Sequence, residues 1–215
     1  MVKNSDIDGQ LLLFSSNSGK YVSKKTRIYF DTNQLYYIRR IAEESQGCEF
    51  GDYGWTNNPK LTQDIRALCY IVALQYEWDL DFCSSDASFA EVKLRADDKA
   101  QDTRDAWVLF AKGLKEDQSL RRVPFLPDWP VSGRFSLEFI DDPADRVILR
   151  HFASVGADVL LTSDDDILKH KEKLAELDLA VMRPYEWLND FLKDLRGEED
   201  AVDWLERILF GIRKG

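Results

Sequence analysis

Short runs of β-branched and aromatic residues alternate with longer stretches whose apolar residues recur at helical spacing. This alternation constrains the fold more than any other feature of the chain. Ile28-Tyr29-Phe30, within Thr26 to Asp31, is the first run, and Leu80 to Ser84, Val159-Leu160-Leu161 and Leu179 to Met182 follow it. Between them Leu35 to Glu44 predicts a helix, and Leu61, Ile65, Leu68 and Val72 repeat with helical period. Further helical stretches start near Ala87 and around Trp107, Phe110 and Leu114. Ala144, Val147, Ile148, Phe152 and Val155 then mark an amphipathic helix that Gly156 can stop. Arg122 to Leu126, if a strand, is confined to a sheet edge by Pro124, which lacks an N–H to donate. Alternating strands and helices imply βαβ crossovers, hence an α/β fold with a central, mainly parallel sheet covered by helices on both faces. Ligands in such folds bind at the carboxyl ends of the strands.

Residues 26–196 hold these elements and are expected to form one domain. Residues 1–25, rich in Ser, Asn, Gly and Lys around Leu11 to Phe14, form a tail or one added strand in this division. Helices over Pro184 to Leu195 and Ala201 to Ile212 close the chain, and residues 197–215 are set apart as a C-terminal amphipathic helix. There Val202, Leu205, Ile208, Leu209 and Ile212 make an apolar stripe that Trp204 and Phe210 widen. Such a stripe must be covered, by its own domain or by a second subunit, so a homodimer stays open.

Apolar runs of only a handful of residues exclude a membrane span, which needs about 20. The stretch Met1 to Gln10 is polar and carries acids where a secretory signal has a basic and then an apolar segment, so a cytoplasmic protein is expected. Cys48, Cys69 and Cys83 are odd in number and widely spaced, which excludes a disulfide framework and a CxxC knuckle and predicts buried thiols. The net charge of −10 argues against a protein that grips nucleic acid by a basic surface. No GxGxxG or Walker pattern is present, and Asp31-Thr32-Asn33 lacks the second Asp of a phospho-aspartyl motif.

Carboxylates recur where the sheet opens. Asp31 ends the first strand, Glu91 lies one or two turns into the helix after the second, and Asp164 follows Val159 to Leu161. Asp145 sits in the first turn of the preceding helix. Taken singly, Asp31 is also a helix cap, Glu91 the acid of a Ser88-x-x-Glu91 capping box, and Asp145 a favourable charge at a helix start. Together, acids brought side by side by the fold would repel, and such clusters coordinate a hard cation through oxygen, Mg²⁺ or Mn²⁺ being expected.

The same residues resemble the PIN-domain nucleases. Ile28-Tyr29-Phe30-Asp31-Thr32-Asn33 is similar to the family's apolar strand ending in Asp-Thr/Ser-Asn/Ser, and Ser85 with Glu91 to its Ser and Glu six residues apart. Asp145-x-x-Ile148, Ala153, then Gly156-Ala157-Asp158-x-Leu160-Leu161-Thr162-Ser163-Asp164-x-Asp166-Ile167-Leu168 looks like its closing signature. The likeness runs roughly from Thr26 to Leu192, looser through residues 93 to 140. Arg150 and His151 stand where small residues are usual, and both tails lack a counterpart.

The resemblance implies a three-layer α/β/α PIN-like fold and a metal-dependent endoribonuclease. Asp31, Glu91, Asp145 and Asp164 would be catalytic and hold Mg²⁺ or Mn²⁺, with Asp166 as a further metal-binding acid. Thr32, Asn33, Thr162 and Ser163 would be the polar side chains that orient these acids. RNA is the implied substrate, and an antitoxin protein a partner if the chain is the toxin of a toxin/antitoxin pair. The competing reading is a non-cleaving PIN-like module that binds RNA or protein.

Arg39, Arg40 and Lys93 are the substrate-binding candidates, with Arg95, Lys169, Lys171 and Lys173 as further backbone contacts. Each also fits a solvated helix face. Tyr36, Trp55 and Trp129 could stack on bases or simply pack. His151 and His170 are expected to be ordinary helical residues.

Overall fold

Thr26, Ile28, Tyr29 and Phe30 suit a pleated, half-buried surface and form β1 (Thr26–Phe30), the middle strand of the sheet. The computed structural model describes residues 26–44, 57–74, 78, 80–85, 88, 120–123 and 136–210, with backbone alone for 39–44, 120–123 and 209–210. After β1 come α1 (Thr32–Glu44), α2 (Pro59–Ala73), β2 (Leu80–Ser85), β3 (Leu120–Val123), α3 (Pro143–Val155) and β4 (Val159–Leu161). The chain continues through α4 (Asp165–Leu168), α5 (Lys171–Ala175), β5 (Val181–Met182), α6 (Pro184–Phe191), α7 (Lys193–Arg196) and α8 (Ala201–Phe210).

Among the described residues the strands make one five-stranded sheet in the order β3-β2-β1-β4-β5, and every neighbouring pair is parallel. Ile28 stands opposite Phe82 on one side and Val159 on the other. Side chains alternate across the sheet with period two, so β1 feeds two separate cores. Ile28 and Phe30 join Leu68 and Ile71 of α2, Trp187 and Leu188 of α6 and Val202 and Leu205 of α8. Tyr29 joins Leu149 and Phe152 of α3, Ile167 of α4 and Leu174 of α5 on the opposite face. The result is the expected three-layer α/β/α arrangement. Burying each large apolar side chain in these layers contributes about 1.5–3 kcal/mol.

Local chemistry accounts for the helix boundaries. Asn58 accepts from the amides of Lys60 at 3.1 Å and Leu61 at 3.4 Å, with Pro59 at the first helical position of α2. Asp142 and Pro143 start α3 in the same way, and Gly156 ends it at φ 62°, a left-handed conformation that a side chain would strain.

Several boundaries differ from the sequence expectation. The strand expected over Arg122 to Leu126 begins two residues earlier, at Leu120, and is described over Leu120–Val123; Pro124 lies outside the described residues. Among the described residues it is an edge strand, as expected. The last strand is only Val181–Met182, because Asp178 turns the chain at φ 59° just before it. The helix expected over Pro184 to Leu195 is interrupted at Leu192 (φ −94°, ψ 2°), whose carbonyl accepts both a tight bond from Leu195 at 2.9 Å and the helical bond from Arg196 at 3.0 Å.

The described part of the apolar stripe of α8, Val202 to Ile208, is covered by this domain itself; the side chains of Leu209 and Phe210 and all of Ile212 lie outside the described residues. Ala201, Val202, Trp204 and Leu205 are buried in the core that Ile28 and Phe30 enter, and Ile208 packs against it. Cys69 and Cys83 are buried thiols, as expected. No helix among the described residues is long and apolar enough to cross a membrane. Residues 1–25, Cys48, the helices expected near Ala87 and Trp107 to Leu114, and Phe125 and Leu126 lie outside the described residues.

Candidate functional site

The strand order creates a crevice at one place on the sheet. From β1 the chain moves outward through β2 to β3, then returns to the other side of β1 for β4 and β5. Connections leave β1 and β4 in opposite directions there, and ligands of open parallel sheets bind beyond the carboxyl ends of such a strand pair. Asp31 follows β1 directly, and Thr162, Ser163 and Asp164 follow β4.

Asp31 is 3% exposed, so its carboxylate depends on fixed donors. Oδ1 accepts from the Thr32 amide at 2.6 Å and Oδ2 from Thr162 Oγ1 at 2.7 Å. Thr162 Oγ1 in turn accepts the Asp164 amide at 3.0 Å. The two acids are therefore joined through one buried hydroxyl. Both also do the blander work of starting helices: the Asp31 carbonyl accepts from Gln34 and Leu35, and Asp164 Oδ1 accepts the Asp166 amide at 2.8 Å. Among the described residues Asp164 Oδ2 has no hydrogen-bond partner, and the side chain is half-buried.

A second polar chain flanks this link on the α2 and α6 side. Gln34 Nε2 donates to Ser163 Oγ at 2.9 Å, and the nearby Ser163 hydroxyl pulls the Asp64 pKa down. Asp64, 1% exposed, accepts from Arg183 Nη1 at 2.7 Å and from the Tyr185 amide at 3.4 Å. Arg183 Nη2 also pairs with Asp165. Burial pushes the Asp64 pKa above the ordinary carboxylate value, against the opposing pull of Arg183. Neither Asp64 nor Arg183 stands out in the sequence. The available signal is an acid three residues after Leu61, inside the apolar stripe of α2.

Behind β1 and β2, on the α3 side, Ser85 Oγ accepts the Ser88 amide at 2.9 Å and lies 3.1 Å from Ser88 Oγ. The Tyr29 hydroxyl meets His151 Nδ1 at 3.1 Å. Burial raises the Tyr29 pKa above its ordinary value. His151 is thus a buried partner of the core rather than a surface residue of α3.

Nothing matches this chain among family models, curated proteins or solved structures.

The remaining sequence candidates divide by position. Thr32 is buried and Asn33 half-buried in the first turn of α1, beside Asp31. Asp145 is half-buried in the first turn of α3. Asp166 is exposed and binds Lys169 Nζ at 2.8 Å, and this ammonium holds its pKa below the ordinary range. Lys169 also stands 3.8 Å from Asp141, Lys171 binds Glu186 at 2.8 Å, and Lys173 lies 5.4 Å from the centre of the Phe139 ring. Tyr36 packs against the core and meets Tyr37 edge-on. Arg39 and Arg40 belong to the part of α1 described by backbone alone, while Glu91, Lys93, Arg95, Trp55 and Trp129 lie outside the described residues. Among the described residues no three His, Cys, Asp or Glu side chains form a group that could hold a metal ion.

The donors that do converge are oxygens: the carboxylates of Asp31 and Asp164 and the hydroxyls of Thr162 and Ser163. Oxygen donors of this kind suit a hard divalent cation and offer nothing to a soft one.

Proposed function

We propose that the crevice beyond β1 and β4 is a divalent-cation site and that the protein is a metal-dependent endoribonuclease of PIN type. The observation that carries this reading is the Asp31–Thr162–Asp164 link, in which one hydroxyl ties the Asp31 carboxylate to the backbone amide of Asp164 and so brings two acidic residues from separate strand ends to the crevice. Asp31 and Asp164 would hold Mg²⁺ or Mn²⁺, with Glu91 and Asp145 completing the acidic set and Asp166 standing further out at the surface. When bound, the cation would acidify a coordinated water and stabilise charge developing on a phosphodiester.

The chain's own residues have simpler tasks. Thr162 holds the Asp31 carboxylate in one rotamer, and the Thr32 amide occupies its other oxygen, so the group stays fixed in a buried place. Asp164 keeps Oδ2 available because Oδ1 is committed to the start of α4. An acidic protein of net charge −10 then needs no basic groove, since phosphate would approach the cation rather than the protein surface. RNA as the substrate, and an antitoxin as a partner, rest on the resemblance of the motifs.

A mixed-sequence, end-labelled RNA pool incubated with Mg²⁺ or Mn²⁺ tests the reading. Internal cleavage that EDTA stops supports it. Intact RNA in the presence of metal contradicts it and leaves the non-cleaving module as the better account.

A further inference from the structure

An ion pair lies inside the protein beside the proposed cation site. The side chain of Asp64, on α2, is 1% exposed, and that of Arg183, between β5 and α6, is 16% exposed. Withdrawing two charges from water offsets much of what their attraction returns, and apolar residues of the same volume serve stability as well or better. What an apolar pair cannot do is fix direction. The planar guanidinium presents nitrogens to two acids at once: Nη1 to Asp64 and Nη2 to Asp165.

The turn after β4 is tied on both sides: Asp165 is held by Arg183, and Asp164 donates its amide to Thr162. Gln34 adds a further tether to Ser163 at 2.9 Å. It is fully buried, and among the described residues its Oε1 has no hydrogen-bond partner. A buried amide with an unmet acceptor is costly to keep, so its value lies in the bond that the other end makes.

We infer that Asp64 and Arg183 are positioning residues: they hold the Ser163–Asp165 turn so that the Asp164 carboxylate faces a cation shared with Asp31. The cation half of this inference rests on the proposed function, while the hold on the turn does not. Residues that orient metal ligands through hydrogen bonds commonly change metal affinity by about 10–100-fold when replaced.

The test uses two variants of the full chain and two readouts. Asp64→Leu/Arg183→Met removes both charges together and leaves neither one buried alone. Arg183→Lys keeps a partner for Asp64 but lacks the second nitrogen for Asp165. Mn²⁺ affinity is measured by paramagnetic titration. Amide hydrogen exchange is followed at Asp164 and Asp166, whose N–H groups bond to Thr162 Oγ1 and Asp164 Oδ1.

The double variant is expected to melt close to wild type, to bind Mn²⁺ at least about tenfold more weakly and to exchange those two amides at least about tenfold faster. Arg183→Lys is expected to fall between the two. Wild-type affinity and protection in the double variant overturn the inference. If the wild-type protein binds no Mn²⁺, the cation reading fails and exchange alone decides: unchanged protection overturns the hold on the turn, and lost protection supports it. Should the double variant not fold, Arg183→Lys decides by the same two readouts.

Discussion

Thr162 Oγ1 donates to Asp31 Oδ2 at 2.7 Å across 131 positions of sequence, and the same oxygen accepts the amide of Asp164 at 3.0 Å. A hydroxyl is the smallest side-chain group that can donate and accept at once. It lets a β4 residue satisfy a buried carboxylate of β1 and set the backbone of the next acid with a single atom.

Thr162→Val should therefore cost about 1–3 kcal/mol, because it leaves a buried carboxylate oxygen without this donor. Thr162→Ser keeps the hydroxyl and should stay within about 1 kcal/mol of wild type. Urea unfolding measures both. Equal stability of the valine and serine variants would show that the bond contributes nothing.

Asp200, at the start of α8, makes stability depend on pH. Its Oδ1 accepts the amides of Val202 and Asp203 at 3.0 and 3.1 Å, and Oδ2 accepts the Tyr185 hydroxyl. Burial raises its pKa, but these donors outweigh burial and leave the group below the ordinary range. A carboxyl depressed on folding contributes stability that is present above the unfolded value of about 3.9 and lost as pH falls through the lower folded value. Asp200→Asn keeps the helix cap, so its deficit at neutral pH should shrink between about pH 4 and pH 2. A deficit that stays constant across that range would contradict the assignment.

Leu205 is 3% exposed in the core shared by α2, α6 and α8. Leu205→Ala should lower stability by about 2–5 kcal/mol while the mass measured by light scattering stays that of wild type. A fall in mass with little loss of stability would mean instead that α8 serves a subunit contact.

Parts of this architecture that depend on neighbouring residues were legible in the sequence. The β1 run, the alternation of strands and helices, the Gly156 stop and the placement of Asp31 and Asp164 at strand ends follow from local pattern and cap chemistry. The polar side chains Thr162 and Ser163 were also legible, as companions of Asp164. What was not legible depends on contacts between distant elements. Arg183 meets Asp64 across 119 positions, and no local pattern announces that an acid of α2 and an arginine after β5 share a buried place. His151 reads as an ordinary helical residue until Tyr29 comes to rest against it. The interruption at Leu192, a fully buried residue, has no local sequence signal such as Gly or Pro.

The most direct measurement compares wild type with Asp31→Asn and Asp164→Asn for metal-dependent cleavage of RNA, with melting curves recorded beside it. Each amide keeps size and hydrogen bonding but removes the anionic ligand. The account predicts folded variants that melt near wild type and lose cleavage by at least about a hundredfold, equivalent to about 2.7 kcal/mol of barrier. Wild-type cleavage by either folded variant would contradict it.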